Sequence, residues 1–145
     1  MSNSQPTQLE AMVQRGHRLG YDVLTQAEQV VFHITNCDTE ISMSGVSGYL
    51  HTHYADCASQ AVEALVKIGA LKSAEILRRA CALFPSGVPP TDTEARRERL
   101  AEFTEEQLAE LDSLDRDYQA RPDDLGDKFE AFFKNRVIAK QAPDA

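Results

Sequence analysis

No apolar run in this chain approaches the roughly eighteen residues that a membrane span requires. The opening stretch MSNSQPTQLE has neither the basic start nor the apolar stretch of a signal peptide. The cysteines Cys37, Cys57 and Cys81 are three in number, an odd count without paired spacing, so a disulfide framework is not expected. Together these absences point to a reducing cytoplasmic setting. The chain also lacks the motifs of common chemistries. There is no HExxH, no CxxC pair, no nucleophile elbow, no phosphate-binding glycine loop and no dinucleotide fingerprint. Catalytic residues, metal ligands and cofactors are accordingly expected to be none. A basic stripe interleaved with aromatics is missing too, which argues against direct nucleic-acid binding. Arg96, Arg97 and Arg99 sit among Glu94, Glu98 and Glu102, a pattern of intrahelical ion pairs.

What remains is a chain of 145 residues, 42% hydrophobic and 26% charged, with a net charge of -8. That length supports one domain with a core large enough to fold without staples. The acidity repels nucleic acid and anionic membranes, and it favours a basic protein as partner.

Helical periodicity dominates. Thr7 with Glu10, Thr25 with Glu28, and Thr104 with Gln107 each have the spacing of a capping box. Helices are expected from there to about Leu19, from Gln26 to about Asn36, and over 105–119. Residues 37–45, with Ser42, Ser44 and Gly45, read as a loop, followed by a short helix from Val46 to Tyr54. A stronger helix starts near Cys57 or Ala58 and ends at Gly69, suited to a C′ position. Leu71 to Phe84 forms the next, stopped by Pro85. Asp92 or Thr93 caps a short charged helix, and the last runs from Leu125 to about Ala139. The expected apolar faces include Val30, Val31 and Ile34, then Leu65, Val66, Leu71, Leu77, Leu108, Leu111 and Leu114, and finally Phe129, Phe132, Phe133, Val137 and Ile138. The expected fold is all-α, a single compact domain of about seven short helices around one core. It would occupy residues 7–140, between a disordered segment 1–6 and a flexible 141–145.

Charge is concentrated. From Glu102 to Glu130 there are eleven acids against three bases, so this segment carries the net charge of the whole chain. Glu106, Glu110 and Asp117 fall on one side of their helix, away from the leucines. Arg116 is placed to offset Asp112, and Arg121 to offset Asp117. Carboxylates one helical turn apart are separated by about the spacing of phosphates along a DNA strand. The expected partner-binding residues are therefore Glu102, Glu105, Glu106, Glu110, Asp112, Asp117, Asp123 and Asp124. The competing reading is a solvated face that only confers solubility.

A second cluster, HTHYADC, brings His51, His53, Asp56 and Cys57 close in sequence. With Tyr49 it is a candidate ligand pocket in which a histidine acts as acid or base. His51 and His53 are two residues apart and diverge on a helix, which weighs against a metal site. A third reading is a structural, dimerising module.

The block ALVKIGALKSAEILRRACALFPSGVPPTDTEARRERL, residues 64–100, resembles the bacterial family of small helical proteins that includes DNA mimic protein nineteen. The resemblance rests on Ile68-Gly69-Ala70, the helix from Ala74 to Phe84-Pro85, Pro89-Pro90, Asp92, and Arg96 or Arg97. Leu108, Leu111 and Asp112, or Leu111, Leu114 and Asp115, match its Leu-x-x-Leu-Asp pattern. Around 44–52 the chain departs from the family, with Gly45-Val46-Ser47-Gly48-Tyr49 and no Asn where the family carries one. The resemblance implies an acidic dimer that imitates DNA in shape and charge and engages a DNA-binding protein, such as a transcription regulator or a nuclease. A homodimer is thus a further expectation.

Overall fold

Three threonines start three helices in the same way. The hydroxyls of Thr7, Thr25 and Thr104 each accept the amide three residues on at 3.1 Å. The side chains of Glu10, Glu28 and Gln107 return 2.9 Å bonds to the threonine amides. Each box satisfies two N–H groups that a helix start otherwise leaves open. The computed structural model describes residues 7–139, so the expected terminal segments 1–6 and 141–145 lie outside the described residues.

Among the described residues there are seven α-helices and no strand. They are α1 (Gln8–Leu19), α2 (Gln26–Leu50), α3 (Ala58–Lys67), α4 (Leu71–Cys81), α5 (Thr93–Ala101), α6 (Glu105–Gln119) and α7 (Leu125–Phe132). α7 continues into a wider π turn, Phe133–Ile138. Short 3₁₀ turns fill Tyr21–Val23, His53–Cys57 and Pro85–Gly87. No helix is long and apolar enough to cross a membrane among the described residues.

α2 is the central element, and it divides what was expected to be one core into two clusters. Val30, Ile34, Cys37 and Ile41 join α3, α4 and α6 in the larger. Val31 and Phe32 join Met12, Leu24 and Val137 in the smaller. Close approach of α1 needs Gly16, because a Cβ there would lie 2.5 Å from the Phe32 ring.

The expected loop over 37–45 is instead helix as far as Ser44. Cys37 and Ile41 extend the buried row begun by Ile34, and tertiary packing of that row outweighs the poor helix preference of the serines. Polar ties reinforce it. Asp38 accepts from the Tyr118 hydroxyl at 2.9 Å and from Arg121 at 2.7 Å, and Gln119 donates to the Ile41 carbonyl at 2.7 Å. The chain breaks only at Gly45, with φ 77, a conformation that costs glycine little. Asp115 of α6 then accepts the Val46 amide at 3.0 Å and caps the restarted turn. A Cβ on Gly45 would sit 3.2 Å from that carboxylate.

Other expectations shift at element edges. α4 ends at Cys81, and tight i to i+3 bonds carry Leu83 and Phe84 down to Pro85. Leu71, in the first turn of α4, is 60% exposed; Leu108 and Val66 are half-exposed rather than core. Gly69 has the positive φ expected of it, 87.

Arg96 departs most from its expected role. Arg97 and Arg99 do pair with Glu94 and Glu102 on their own helix, but Arg96 is fully buried. Its Nε donates to the Leu50 carbonyl at 2.7 Å, and its terminal nitrogens reach the carbonyls of Pro90 at 2.9 Å and Thr52 at 2.5 Å. One of them also meets Asp56 at 2.9 Å. The guanidinium therefore serves the C-terminal end of α2, where carbonyls lack helical partners and the helix dipole favours a cation. Replacing Arg96 with Met is expected to destabilise the fold by about 3 to 5 kcal/mol, since carbonyls and a carboxylate lose their partner. Arg96→Lys is expected to recover little, because an ammonium cannot reproduce the planar fork. Urea denaturation of both variants measures this.

Candidate functional site

The acidic segment occupies α6 and the connections on either side of it. Leu111, Leu114 and Tyr118 bury one face of α6. Glu106, Glu110 and Asp117 fall within about 40° of one another around the helix, on a flank clear of that face. All three are exposed, as are Glu102, Glu105, Asp112 and Asp124. With a rise of about 1.5 Å per residue, the row from Glu106 to Asp117 is about 16 Å long.

These acids differ in what they touch. Glu102 pairs with Arg99 at 3.0 Å. Glu110 is 3.7 Å from Arg79 of α4, both side chains being about half exposed, a pair that water screens. Glu105, Glu106, Asp112 and Asp117 make no ion pair and no side-chain hydrogen bond among the described residues. The two offsets expected along α6 do not form. Arg116 makes no ion pair with Asp112 among the described residues, and Arg121 turns to Asp38 at 2.7 Å and to the Ser42 hydroxyl at 3.0 Å. Arg121 has left the helix with φ 55, which directs it toward α2.

Asp123 has a partner inside the fold. It accepts the Ser73 amide at 2.5 Å. The residue that opens α4, Ala70, has no side-chain cap of its own, so a carboxylate from the α6–α7 connection supplies one. Asp124 stands at the start of α7 with φ 51 and makes no cap bond through its side chain. Sequence spacing did not indicate that Asp123 and Asp115 each cap a distant helix. Asp38, the carboxylate that holds Tyr118 and Arg121, gave no local signal either.

The residues of the second cluster have separate partners. Tyr49 is buried beside Cys37, and burial raises both hydroxyl and thiol pKa values. His51 is exposed and its Nδ1 lies 2.8 Å from the Ser47 carbonyl of its own helix. His53 is exposed and stacks on Tyr54 at 4.2 Å. Asp56 binds Arg96 and accepts the Thr93 hydroxyl at 2.8 Å. Cys57 is half-buried, its thiol pKa raised by burial and then by the Asp56 charge. No three His, Cys, Asp or Glu side chains among the described residues are placed to hold one metal ion.

His33 stands apart. It is 6% exposed, and its Nε2 has no hydrogen-bond partner. Tyr21 packs edge-on against its ring at 4.8 Å. Burial depresses its pKa to about 4, so the imidazole is neutral at pH 7.

The fold and surface define a class: a small all-helical protein whose negative charge is concentrated along one helix. A model of the DMP19-like protein family matches residues 22–136, and the chain belongs to that family. Comparison with curated proteins and with solved structures returns no match.

Asp123→Ala is expected to cost about 1 to 2 kcal/mol, as for other lost helix caps. Glu106→Gln, Asp112→Asn and Asp117→Asn are each expected to stay within about 0.5 kcal/mol of the parent; chemical denaturation separates the two groups. His33 binds its proton more weakly folded, at about 4, than unfolded, at about 6.5. The unfolded chain therefore takes up more protons as pH falls, and stability drops between those values. Comparing unfolding of the parent and His33→Phe at a series of pH values isolates this contribution, expected to be on the order of 3 kcal/mol and absent from the variant.

Proposed function

We propose that the chain is a binding protein that presents the α6 carboxylates to the basic, DNA-contacting surface of another protein, such as a transcription regulator or a nuclease. One observation carries this reading: Glu105, Glu106, Asp112 and Asp117 are exposed on a single helix without ion-pair partners among the described residues. Carboxylates already paired at home would have to break those pairs to meet a partner's arginines and lysines. Unpaired ones are available at no such cost, and their summed field steers a cationic surface toward them.

Membership of the DMP19-like family supports the reading, because the family resemblance implies imitation of DNA. Backbone phosphates on DNA are read largely through charge and position, and a row of carboxylates on a packed helix offers both. Glu110 lies within the row, and Glu102 and Asp124 extend the charge beyond its two ends. Asp123, held by the Ser73 amide, contributes charge at the rim. A homodimer would present two such rows, as DNA presents two strands to a dimeric regulator.

The test is affinity capture from cells of the source organism, with elution by rising salt. A basic DNA-binding protein is expected to be retained and released at moderate ionic strength, where exposed charges are screened. The cognate duplex DNA of that protein is expected to displace the chain. The triple reversal Glu106→Lys, Glu110→Lys, Asp117→Lys is expected to lose the captured protein while keeping its helical content. Equal retention by parent and triple variant would refute the α6 reading.

A further inference from the structure

The enclosure of His33 is uneven, and this feature is independent of the α6 reading. The ring is 6% exposed, and its Nε2 has no hydrogen-bond partner among the described residues. On its own helix the Phe32 ring meets it edge-on at 5.6 Å. α3 forms a firm wall. Its Ala61, Ala64 and Leu65 are buried in the larger core cluster. Its Gln60, Glu63 and Lys67 border a hollow that His33 and the uncharged Gln26 and Gln29 of α2 also line. Glu63 and Lys67 stand one helical turn apart with opposite charges, so that wall presents little net field.

The 3₁₀ turn Tyr21–Val23 is a weaker wall. Tyr21 packs edge-on against His33 at 4.8 Å, and its hydroxyl meets the side chains of Gln60 and Cys57. The turn contains no buried residue and starts without a side-chain cap. Val23 is half-exposed, and its amide reaches the Gly20 carbonyl only at 3.4 Å, long for such a bond. Gly20 precedes the turn with φ 92 and open space where a Cβ would stand, so the chain can pivot there without a side-chain clash. Past the turn, buried Leu24 and the Thr25 cap of α2 mark the end of the movable segment.

A neutral imidazole can sit in this enclosure with one nitrogen unpaired. A protonated one cannot, because both ring nitrogens then donate and an unpaired buried charge is far more costly than an unpaired dipole. Water is the acceptor at hand, and one wall must move to admit it. Moving α3 uncovers the main core, whereas moving the turn uncovers only side chains that are already partly exposed. Local openings take the cheaper route. The depression of the His33 pKa to about 4 by burial expresses the same cost.

We propose that the Tyr21–Val23 turn is an acid-opened flap over His33. Protonation of the ring drives Tyr21 off it, the segment pivots at Gly20, and water reaches the imidazolium while α2, α3 and α4 stay folded. Each opening takes up one proton. The ratio of open to closed chains therefore rises by about tenfold per pH unit as pH falls from about 6.5 to about 4.

The experiment is NMR of the full chain from about pH 7 to about pH 3.5, on either side of that window. It follows the His33 ring signals, the nuclear Overhauser contact between the Tyr21 and His33 rings, and amide exchange corrected for its intrinsic pH dependence. The ring contact is expected to disappear as His33 gains its proton. The Gly20 and Leu24 amides, bonded to the Gly16 and Tyr21 carbonyls at 2.9 and 3.0 Å, are expected to lose protection by up to about tenfold per pH unit. The Leu65 and Leu77 amides are expected to stay the better protected throughout, because they exchange only when the whole chain unfolds. Tyr21→Ala removes a half-buried side chain and is expected to fold, with the His33 midpoint raised by about one pH unit or more toward its ordinary 6.5. His33→Gln and His33→Phe, which take up no proton, are expected to hold Leu24 protection steady over the same range. Protonation of His33 with the ring contact intact would overturn the proposal, as would a His33 midpoint that Tyr21→Ala leaves in place. Equal protection of Leu24 and Leu77 at every pH would mean that the turn opens only with the whole chain, and it too would overturn the flap. The same holds if both His33 variants keep the acid-dependent loss in full.

Discussion

The buried guanidinium of Arg96 holds together parts of the chain that have little else in common. Moving a charge out of water costs several kcal/mol, and only a full set of well-aimed acceptors offsets it. Here the acceptors are three carbonyls and a carboxylate, drawn from the end of α2, the turn beyond it, and the proline loop. The Leu50 carbonyl gains as well, because the last carbonyls of α2 have no helical donor. The direction of α5 is thereby fixed against the end of α2. α6 begins within a few residues of the end of α5, so its departure point is fixed too. Asp115 holds the middle of α6 to the Gly45 break, and Asp38 holds its end through Tyr118 and Arg121. The acidic helix is thus tied to α2 at more than one level.

That arrangement divides the acids into two populations that look alike in a list of charges. Asp38, Asp56, Asp115 and Asp123 accept hydrogen bonds from distant parts of the chain and are part of the fold. Among the described residues Glu105, Glu106, Asp112 and Asp117 have no such partners, and they face water. Net charge alone gives both groups equal weight. Geometry shows that removing a member of the first uncovers an amide, a hydroxyl or a guanidinium, whereas removing a member of the second uncovers nothing. In the proposed role the first group holds the surface in place and the second group forms it.

Local rules read well where local interactions decide. The three capping boxes and the positive φ at Gly69 involve residues within a few positions of one another, and each was legible; the stop expected at Pro85 falls earlier, because α4 already ends at Cys81. The loop assigned to 37–45 was not, because the serines that suggested it are exposed while Cys37 and Ile41 are buried by helices distant in sequence. Arg96 was placed among intrahelical ion pairs because it stands in the same run of alternating charge as Arg97 and Arg99, yet it lies two residues from Glu94 and from Glu98, while its neighbours lie three from Glu94 and Glu102; only the fold reveals the carbonyls around it. The acidic row was legible as a row. Which acids had been committed elsewhere was not, since the partners of Asp115 and Asp123 lie 69 and 50 residues away.

Like charges spaced four apart on a helix repel by a few tenths of a kcal/mol, and opposite charges at the same spacing gain a similar amount. Placing lysine or arginine among the acids would keep α6 just as soluble and make it more stable. Two arginines stand near enough to do this. Arg121 instead turns away to Asp38 and Ser42, and Arg116 leaves Asp112 unpaired among the described residues. The repulsion along the Glu106, Glu110 and Asp117 row is therefore only lightly relieved, by a screened contact between Glu110 and Arg79. On exposed side chains that residual repulsion amounts to a few tenths of a kcal/mol. A partner that supplies the missing cations would relieve it, and that complementarity is what the proposed function relies on.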